Sequence, residues 1–376
     1  MSLNLNRIET EILKSWPAEL TGHYCIGLSG GCDSVVLLHL IASLAKKRQI
    51  TLTALHVNHG LSQQALNWEQ HCQSLCDNLS IPLRISRLSV VKHPGMGLEN
   101  SARIARYAEF STSSAAVMIL AHHEDDLIET MLSQAMRGSN LHNLAGMRTL
   151  TRRQQQYYWR PLLPYSKQDL IEYAAHYQLK YIEDESNLDP QYLRNFLRLQ
   201  IIPQLLAYDK QVPTKLIKSI HSLQEACTLV DELALLDLKY CQNSSPSAIE
   251  SANIAPVKVN SDAYTTDTYP ASAEKDASAT AKLPLYIPNL LDLSYLRQVN
   301  TLNCWLKAQA MPLPTQKHLA EFLRQVAEAK TGTTQQLILG GRATRPIPGT
   351  LAQDALPTSY SHLLRKKQHI YLIKSC

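Results

Sequence analysis

Residues 23–38 read HYCIGLSGGCDSVVLL, and this stretch decides the fold. Residues 23–29 are mostly apolar and end in small side chains, which predicts a buried strand. A helical pattern begins at Asp33 and continues to about Lys47. Gly30 and Gly31 separate the two elements, and glycine lets a backbone fold closely around an anion. Because N–H groups at the start of a helix attract phosphate, the stretch predicts a phosphate-binding loop.

The polar residues of this loop suit a nucleotide better than bare phosphate. Ser29 and Ser34 add hydroxyl donors. Asp33 would repel phosphate, so we expect it to hold a Mg²⁺ ion that bridges the phosphates. The loop is not a Walker A motif, because no lysine follows it before Lys46. The alternative is a strand–turn–helix junction whose glycines are incidental.

Strand and helix patterns alternate beyond the loop. Strands are predicted at residues 50–58, 82–90 and 115–122, with helices at 62–79, 97–110 and from about 124. Such alternation is typical of an α/β fold with a doubly wound parallel sheet. We predict a catalytic domain at residues 1–213 and a long connecting helix at 214–241. A flexible Ser/Ala/Thr/Pro-rich insertion follows at 242–283, and a smaller, mainly helical domain with short strands at 284–376.

Composition excludes several classes of protein. The 376 residues are 45% hydrophobic and 18% charged, which excludes wholesale disorder and fits two or three domains. No apolar run approaches the ~20 residues that cross a bilayer. The first residues, MSLNLNRIETEILKSW, do not form a signal peptide, so we expect a cytoplasmic protein whose eight cysteines are reduced thiols. The sequence leaves the oligomeric state open, and a homodimer is one of the possible states.

Acidic side chains follow the predicted strand 115–122. Asp126, Glu129 and Thr130 have i, i+3 and i+4 spacing, so they share one face of a helix and could hold an ammonium group. The alternative is that acids near a helix N-terminus only complement the helix dipole. The histidines at positions 56, 59, 122 and 123 do not predict a metal site, because no other ligand type clusters with them. They could instead stack on or hydrogen-bond a nucleotide.

A basic tract follows this helix, with no acid between Glu129 and Asp169. Aromatic residues, Tyr157, Tyr158 and Trp159, lie within it, and arginines beside aromatics suit RNA phosphates and unstacked bases. The alternative is a solvated loop. The net charge of +5 hides this patch and a second one after residue 329. The basic residues of the first tract are Arg137, Arg148, Arg152, Arg153, Arg160 and Lys167.

The motif SGGCDS resembles the pyrophosphate loop of the N-type ATP pyrophosphatases, the PP-loop family. Within that family, four segments resemble the tRNA(Ile)-lysidine synthetases: HVNHG at 56–60, ENSARIARY at 99–107, AHHEDDLIETMLSQAMRGSNLHNLAGM at 121–147 and EDESNLDPQYLRNFLR at 183–198. The resemblance implies an adenine nucleotide alpha hydrolase-like fold. It also implies ligation of L-lysine to position 2 of the wobble cytidine of tRNA(Ile), in the CAU anticodon, through an adenylated cytidine.

The resemblance assigns expected roles to individual residues. Asp33, Arg103 and Arg194 would be catalytic, and Asp126 and Glu129 would bind lysine. ATP, as substrate, would contact Ser29, Gly30, Gly31, Cys32, Asp33, Ser34 and His56, with Mg²⁺ at Asp33. The basic tract adds expected tRNA contacts at Arg137, Arg148, Arg152, Arg153 and Tyr158.

Two other functions stay open. A PP-loop tRNA thiolase would need a persulfide cysteine or an iron–sulfur site; no CxxC occurs, although Cys32 lies in the loop. A non-catalytic ATP- or tRNA-binding module would not need Asp33, Asp126 and Arg194. Longer members of the family carry a further C-terminal domain that recognises the tRNA acceptor region. This sequence ends at Cys376, so we expect a shorter form or tRNA selection by the first two domains.

Overall fold

The computed structural model shows two compact units, and the division falls between Gln224 and Glu225, within one long helix. This point lies further along the chain than the predicted domain boundary after residue 213. The described residues are 5–17, 20, 22–48, 50–60, 62, 64–88, 97–153, 156–183, 189–242, 283–309, 311, 313–328, 336–339, 361–366 and 368–374. The predicted insertion, apart from its two end residues, and most of the irregular stretch at 341–368 lie outside them.

The first unit is built on a six-stranded sheet with the order β3-β2-β1-β4-β6-β5. All neighbouring strands are parallel except β5 and β6, which form an antiparallel hairpin at one edge. The strands are β1 (His23–Gly27), β2 (Thr51–Asn58), β3 (Leu83–Arg87), β4 (Val117–Ile119), β5 (Leu150–Arg153) and β6 (Gln156–Trp159).

Helices connect the parallel strands of this sheet, as the alternating pattern predicts. The second helix is buried over most of its length, because apolar side chains surround it on nearly every face. The helices of this unit are α1 (Leu5–Lys14), α2 (Cys32–Arg48), α3 (Ala65–Leu79), α4 (Leu98–Ser111), α5 (Glu124–Met136), α6 (Leu141–Leu144), α7 (Lys167–His176), α8 (Leu193–Phe196) and α9 (Ile202–Tyr208). A π-helical turn, Leu197–Ile201, joins the last two.

The strand order reverses between β1 and β4. From β1 the chain continues to β2 and β3 on one side, and it then crosses to β4 on the other. Loops at the carboxyl ends of two such strands diverge and leave a crevice, which is where open α/β sheets bind ligands. The phosphate loop follows β1, and the acidic segment AHHEDD follows β4, so the fold places both motifs at this crevice.

The second unit combines helices with an antiparallel sheet of order β7-β10-β9-β8. Its buried core includes Trp305 and Phe322, and the guanidinium of Arg297 pairs with the buried carboxylate of Asp237. The long helix α10 (Val212–Gln242) continues into this unit. The remaining elements are β7 (Leu285–Tyr286), α11 (Ile287–Asp292), α12 (Tyr295–Ala308), α13 (Gln316–Glu328), β8 (Gln336–Leu339), β9 (Ser361–Lys366) and β10 (His369–Lys374).

The predicted α/β class and parallel sheet are confirmed. The hairpin β5–β6 was not predicted as strands, because its charged and aromatic residues had been interpreted only as a basic tract. Within the described residues, no helix is both long and apolar enough to span a membrane.

Candidate active site

The phosphate loop requires glycine at position 30. Gly30 has φ +89, a conformation that L side chains rarely adopt. A Cβ atom there would lie 3.2 Å from Sγ of Cys72 and 3.3 Å from Cδ1 of Ile182. The N–H of Ile182 also donates to the carbonyl of Gly30 at 2.9 Å. A distant segment of the chain therefore closes over the loop and holds its backbone in place.

The hydroxyl of Ser34 organises the inside of the loop. It accepts hydrogen bonds from the N–H groups of Ser29 at 3.2 Å and Gly30 at 3.1 Å. The N–H of Gly31 donates to Oγ of Ser29 at 3.3 Å. These donors were expected to point at phosphate, but here the loop's own hydroxyls accept from them. To accept from the N–H groups of Ser29 and Gly30, a phosphate oxygen would have to replace Ser34 Oγ. The N–H groups in the first turn of α2 have no acceptor within the helix, so a phosphate could bind them directly.

His56 hydrogen-bonds the backbone immediately before the loop. Its ring is 4% exposed, and Nδ1 donates to the carbonyl of Leu28 at 2.9 Å. Since a carbonyl can only accept, this bond places the proton on Nδ1. Burial lowers the pKa of His56, which favours a neutral ring. The geometry gives His56 a role in positioning the loop backbone.

Asp33, in the first turn of α2, lies between two cations. Its Oδ1 is 2.5 Å from Nζ of Lys167, and its Oδ2 is 3.5 Å from Nε2 of His123. Burial would raise the pKa of Asp33, but His123 and Lys167 reverse this effect and lower it. For His123 burial has the opposite effect and would lower the pKa, but the carboxylates of Asp125, Asp33 and Asp126 raise it to about 10. The three carboxylates therefore favour a charged His123, and the two cations favour an ionised Asp33.

Helix α5 carries the two predicted lysine-binding carboxylates. Asp126 accepts a hydrogen bond from the N–H of His123 at 3.1 Å and so helps to cap the helix. Glu129 is 1% exposed, and both of its oxygens accept from Arg198, at 2.6 and 3.0 Å. Burial raises the pKa of Glu129, and the guanidinium of Arg198 opposes this effect. Arg198 also lies 4.0 Å from Asp126, so one arginine serves both carboxylates.

The predicted catalytic arginines lie on two different helices. Arg194, on α8, donates to Oγ1 of Thr130 at 3.2 Å. Arg103, on α4, stacks on the ring of Tyr107, with its Cζ 5.2 Å from the ring centroid. Burial lowers the pKa of His122 to about 3, and Arg160, Arg103 and Arg194 contribute to the shift. Arg194 therefore contacts the helix that follows β4, and Arg103 packs on Tyr107 of its own helix.

The basic tract forms an arginine–aromatic surface across α4 and the hairpin β5–β6. Arg153 lies over the ring of Tyr107, 4.7 Å from its centroid, and Arg152 lies over Tyr157 at 5.5 Å. Both arginines are exposed. Tyr107 was not predicted, because α4 and the hairpin meet only in the folded chain.

Other residues of the tract serve the fold. Tyr158 is 2% exposed and packs in a core cluster, so its ring is not available to stack on a base. Arg148 donates to the carbonyl of Gln224 at 2.8 Å, and Arg160 is buried. Arg137, the cap residue after α5, is exposed. We therefore remove Tyr158 and Arg148 from the expected RNA contacts, and Arg137, Arg152 and Arg153 stay predictions.

The cysteines at and beside the loop are buried thiols. Cys32 is 7% exposed, and burial raises the pKa of its thiol. Burial also raises the pKa values of Cys72 and Cys76 to about 12. Among the described residues, no group of three or more His, Cys, Asp or Glu side chains could hold a metal ion.

Comparison with known families agrees with this geometry. Residues 4–205, more than half of the chain, match the PP-loop domain, and residues 285–346 match the TilS substrate binding domain. A tRNA(Ile)-lysidine synthase of Chromobacterium violaceum is 35% identical over 94% of this chain and 75% of its own length. The synthase of Pseudomonas fluorescens is 43% identical over 63% of this chain and 53% of its own length. That of Neisseria gonorrhoeae is 35% identical over 88% of this chain and 66% of its own length. The chain belongs to the tRNA(Ile)-lysidine synthase family.

Proposed function

We propose that this protein is a ligase that joins L-lysine to carbon 2 of the wobble cytidine in the CAU anticodon of tRNA(Ile). The products are lysidine, AMP and pyrophosphate. One observation carries the proposal: the phosphate loop and helix α5 follow neighbouring strands at the point where the strand order reverses. A nucleotide on the loop would therefore lie beside Asp126 and Glu129. Because the substrate is a tRNA, we place the reaction in the cytoplasm.

Asp33 suits a magnesium nucleotide. A single carboxylate together with substrate phosphates is a usual way for a protein to hold Mg²⁺. Asp33 is ionised and 28% exposed at the crevice, so it fits this role. When bound, Mg²⁺ would neutralise phosphate charge. The remaining stabilisation of the phosphates would come from the N–H groups at the start of α2.

In the first step, O2 of the cytidine attacks the α-phosphorus of ATP. The new O–P bond forms as the bond to the bridging oxygen breaks, and pyrophosphate leaves. The base must leave its stack to reach the crevice, at a cost of a few kcal/mol. Arg103 and Arg194 would stabilise the charge that develops on the α-phosphate.

In the second step, the side-chain amine of lysine attacks C2 of the adenylated cytidine, and AMP leaves with the oxygen. An amine with a pKa of ~10.4 must lose its proton first, which costs ~4.6 kcal/mol at pH ~7 unless the site helps. Asp126 and Glu129 would hold the α-ammonium group once Arg198 releases Glu129, both of whose oxygens it occupies in the free protein. Arg198, which is 43% exposed, would then face the lysine carboxylate.

The exposed residues Arg152, Arg153 and Arg137 would bind the RNA backbone. Arginine pairs with phosphate by charge-assisted hydrogen bonds and stacks on bases. A thiolase is disfavoured because Cys32 is buried with a raised thiol pKa. We disfavour a module without catalysis because the loop that carries Asp33 and the helix that carries Asp126 follow neighbouring strands at one crevice.

A product assay tests the function. The protein is mixed with ATP, lysine and tRNA(Ile), and pyrophosphate and modified tRNA are measured. We expect pyrophosphate release that requires the tRNA, and incorporation of labelled lysine into it. Release that requires tRNA but is indifferent to lysine analogues, with no lysine incorporated, would contradict the proposal.

A further inference from the structure

The phosphate loop of this protein contains no lysine, yet the fold brings one to it. Lys167 is 134 residues from Asp33 in sequence, and its Nζ lies 2.5 Å from Asp33 Oδ1. In Walker A loops a lysine within the motif reaches the phosphates. Lys167 therefore places a cation beside a loop whose own motif, SGGCDS, contains none.

Lys167 is held rigidly at its backbone and is free to move at its tip. It is the first residue of α7, whose N-cap Ser166 accepts from the N–H of Asp169 at 3.2 Å. The N–H of Lys167 donates to Oδ2 of Asp125 at 2.7 Å, which ties α7 to α5. The side chain is 38% exposed, so a ligand in the crevice can reach the ammonium group.

The Lys167–Asp33 pair is partly exposed, with side chains that are 38% and 28% exposed. A partly exposed ion pair adds little to stability, so neutralisation alone is a weak reason for this arrangement. A group with three donors and a long flexible stem can reach a phosphate oxygen while its backbone stays fixed.

We propose that Lys167 is a phosphate-binding residue, whose ammonium group moves from Asp33 to the polyphosphate chain of the bound nucleotide. This deepens the proposed function, since it concerns the same nucleotide site. Asp33 then becomes available to the magnesium ion. The simpler alternative is that the Lys167–Asp33 pair only stabilises the fold.

Binding of magnesium-free inorganic tripolyphosphate separates the two explanations, measured by calorimetry without tRNA or lysine. Lys167→Gln removes the cation, so we expect binding to weaken by about 10-fold or more. Asp33→Asn breaks the same pair but frees Lys167 and removes a repelling charge, so binding should tighten. Lys46→Gln, at the exposed C-terminal end of α2, is the matched control and should bind as the wild type does.

Opposite shifts in the two variants support the proposal, whereas equal shifts, or unchanged binding in Lys167→Gln, overturn it. Adenosine binding gives a second readout, because loss of a phosphate contact should leave it unchanged. If Lys167→Gln unfolds, the sign of the Asp33→Asn change alone decides, since weaker binding there would also overturn the proposal. Failure to form lysidine, with these shifts intact, would contradict only the proposed function.

Discussion

The loops after β1 and β4 lie side by side but are built in different ways. Inside the loop after β1, Ser34 accepts from the N–H groups of Ser29 and Gly30, and Ile182 and His56 add bonds to its backbone from outside. The segment after β4 depends on partners from elsewhere, since Asp125 binds the N–H of Lys167 and Glu129 binds Arg198.

This difference separates two kinds of chemistry. Backbone N–H groups and hydroxyls can be arranged by a short turn, and they bind any phosphate. Buried carboxylates need cations, and those cations must be placed by the fold. We therefore expect the first loop to act on the nucleotide and the second to select the amine that reacts.

The largest effect is expected for Asp33→Ala. Loss of the carboxylate removes the magnesium contact and leaves Lys167 and His123 without their shared anion. Adenylation should fall by at least about 100-fold. The measurement is tRNA-dependent pyrophosphate release with and without lysine, with Asp77→Ala, on the far end of α3, as the control. Near-normal release would show that the first loop does not carry the nucleotide chemistry.

Glu129→Gln should separate the two loops. The amide keeps the shape but loses the charge that holds an ammonium group, so lysine transfer should fall about 10- to 100-fold while adenylation persists. The readouts are labelled lysine in tRNA and pyrophosphate release without lysine. Parallel loss of both steps would contradict the assignment of separate roles.

Arg198→Met tests how far Glu129 depends on its distant partner. It leaves a carboxylate that is 1% exposed without its two hydrogen bonds. Because Arg198 itself is 43% exposed and water can enter, we expect a loss of about 1–3 kcal/mol in the free energy of unfolding. Urea unfolding measures this loss, and Arg198→Lys should recover part of it. No change would mean that the pair is not formed in solution.

Neutralising Arg152 and Arg153 together should have a moderate effect on tRNA binding. For ~4–6 phosphate contacts the log–log slope of affinity against salt should be near −3 to −5, and two lost contacts should flatten it by about 1.5–2. Arg148→Gln is the comparison, because Arg148 is bonded to Gln224 and should affect stability more than the slope. An unchanged slope in the double variant would place the RNA elsewhere.

His123 should give the stability of the protein a pH dependence. Its folded pKa of about 10 lies above the ordinary value of 6.5, so the folded state binds the proton more tightly. The gain is complete below pH ~6.5 and is lost as pH rises towards 10. The melting temperature of the wild type should therefore fall more steeply over this range than that of His123→Gln. Parallel curves would contradict a charged His123.

The same contrast explains what could be predicted from sequence. The residues of the loop after β1 lie within a few positions of one another, so local pattern was enough to predict the strand, the turn and the helix. The cation partners could not be predicted, because Lys167 is 134 residues from Asp33 and Arg198 is 69 from Glu129. The burial of Tyr158 could not be predicted either, because the local pattern does not distinguish this residue from its half-buried neighbour Tyr157.

The central claim is that the crevice beside β1 transfers AMP to an RNA base before lysine reacts. ATP labelled at the α-phosphate tests it directly, with tRNA(Ile) and no lysine, followed by addition of lysine. We predict label on the tRNA in the first stage and its release as AMP in the second. Label that stays with ATP, or that appears on lysine or on the protein instead of the RNA, would contradict the account.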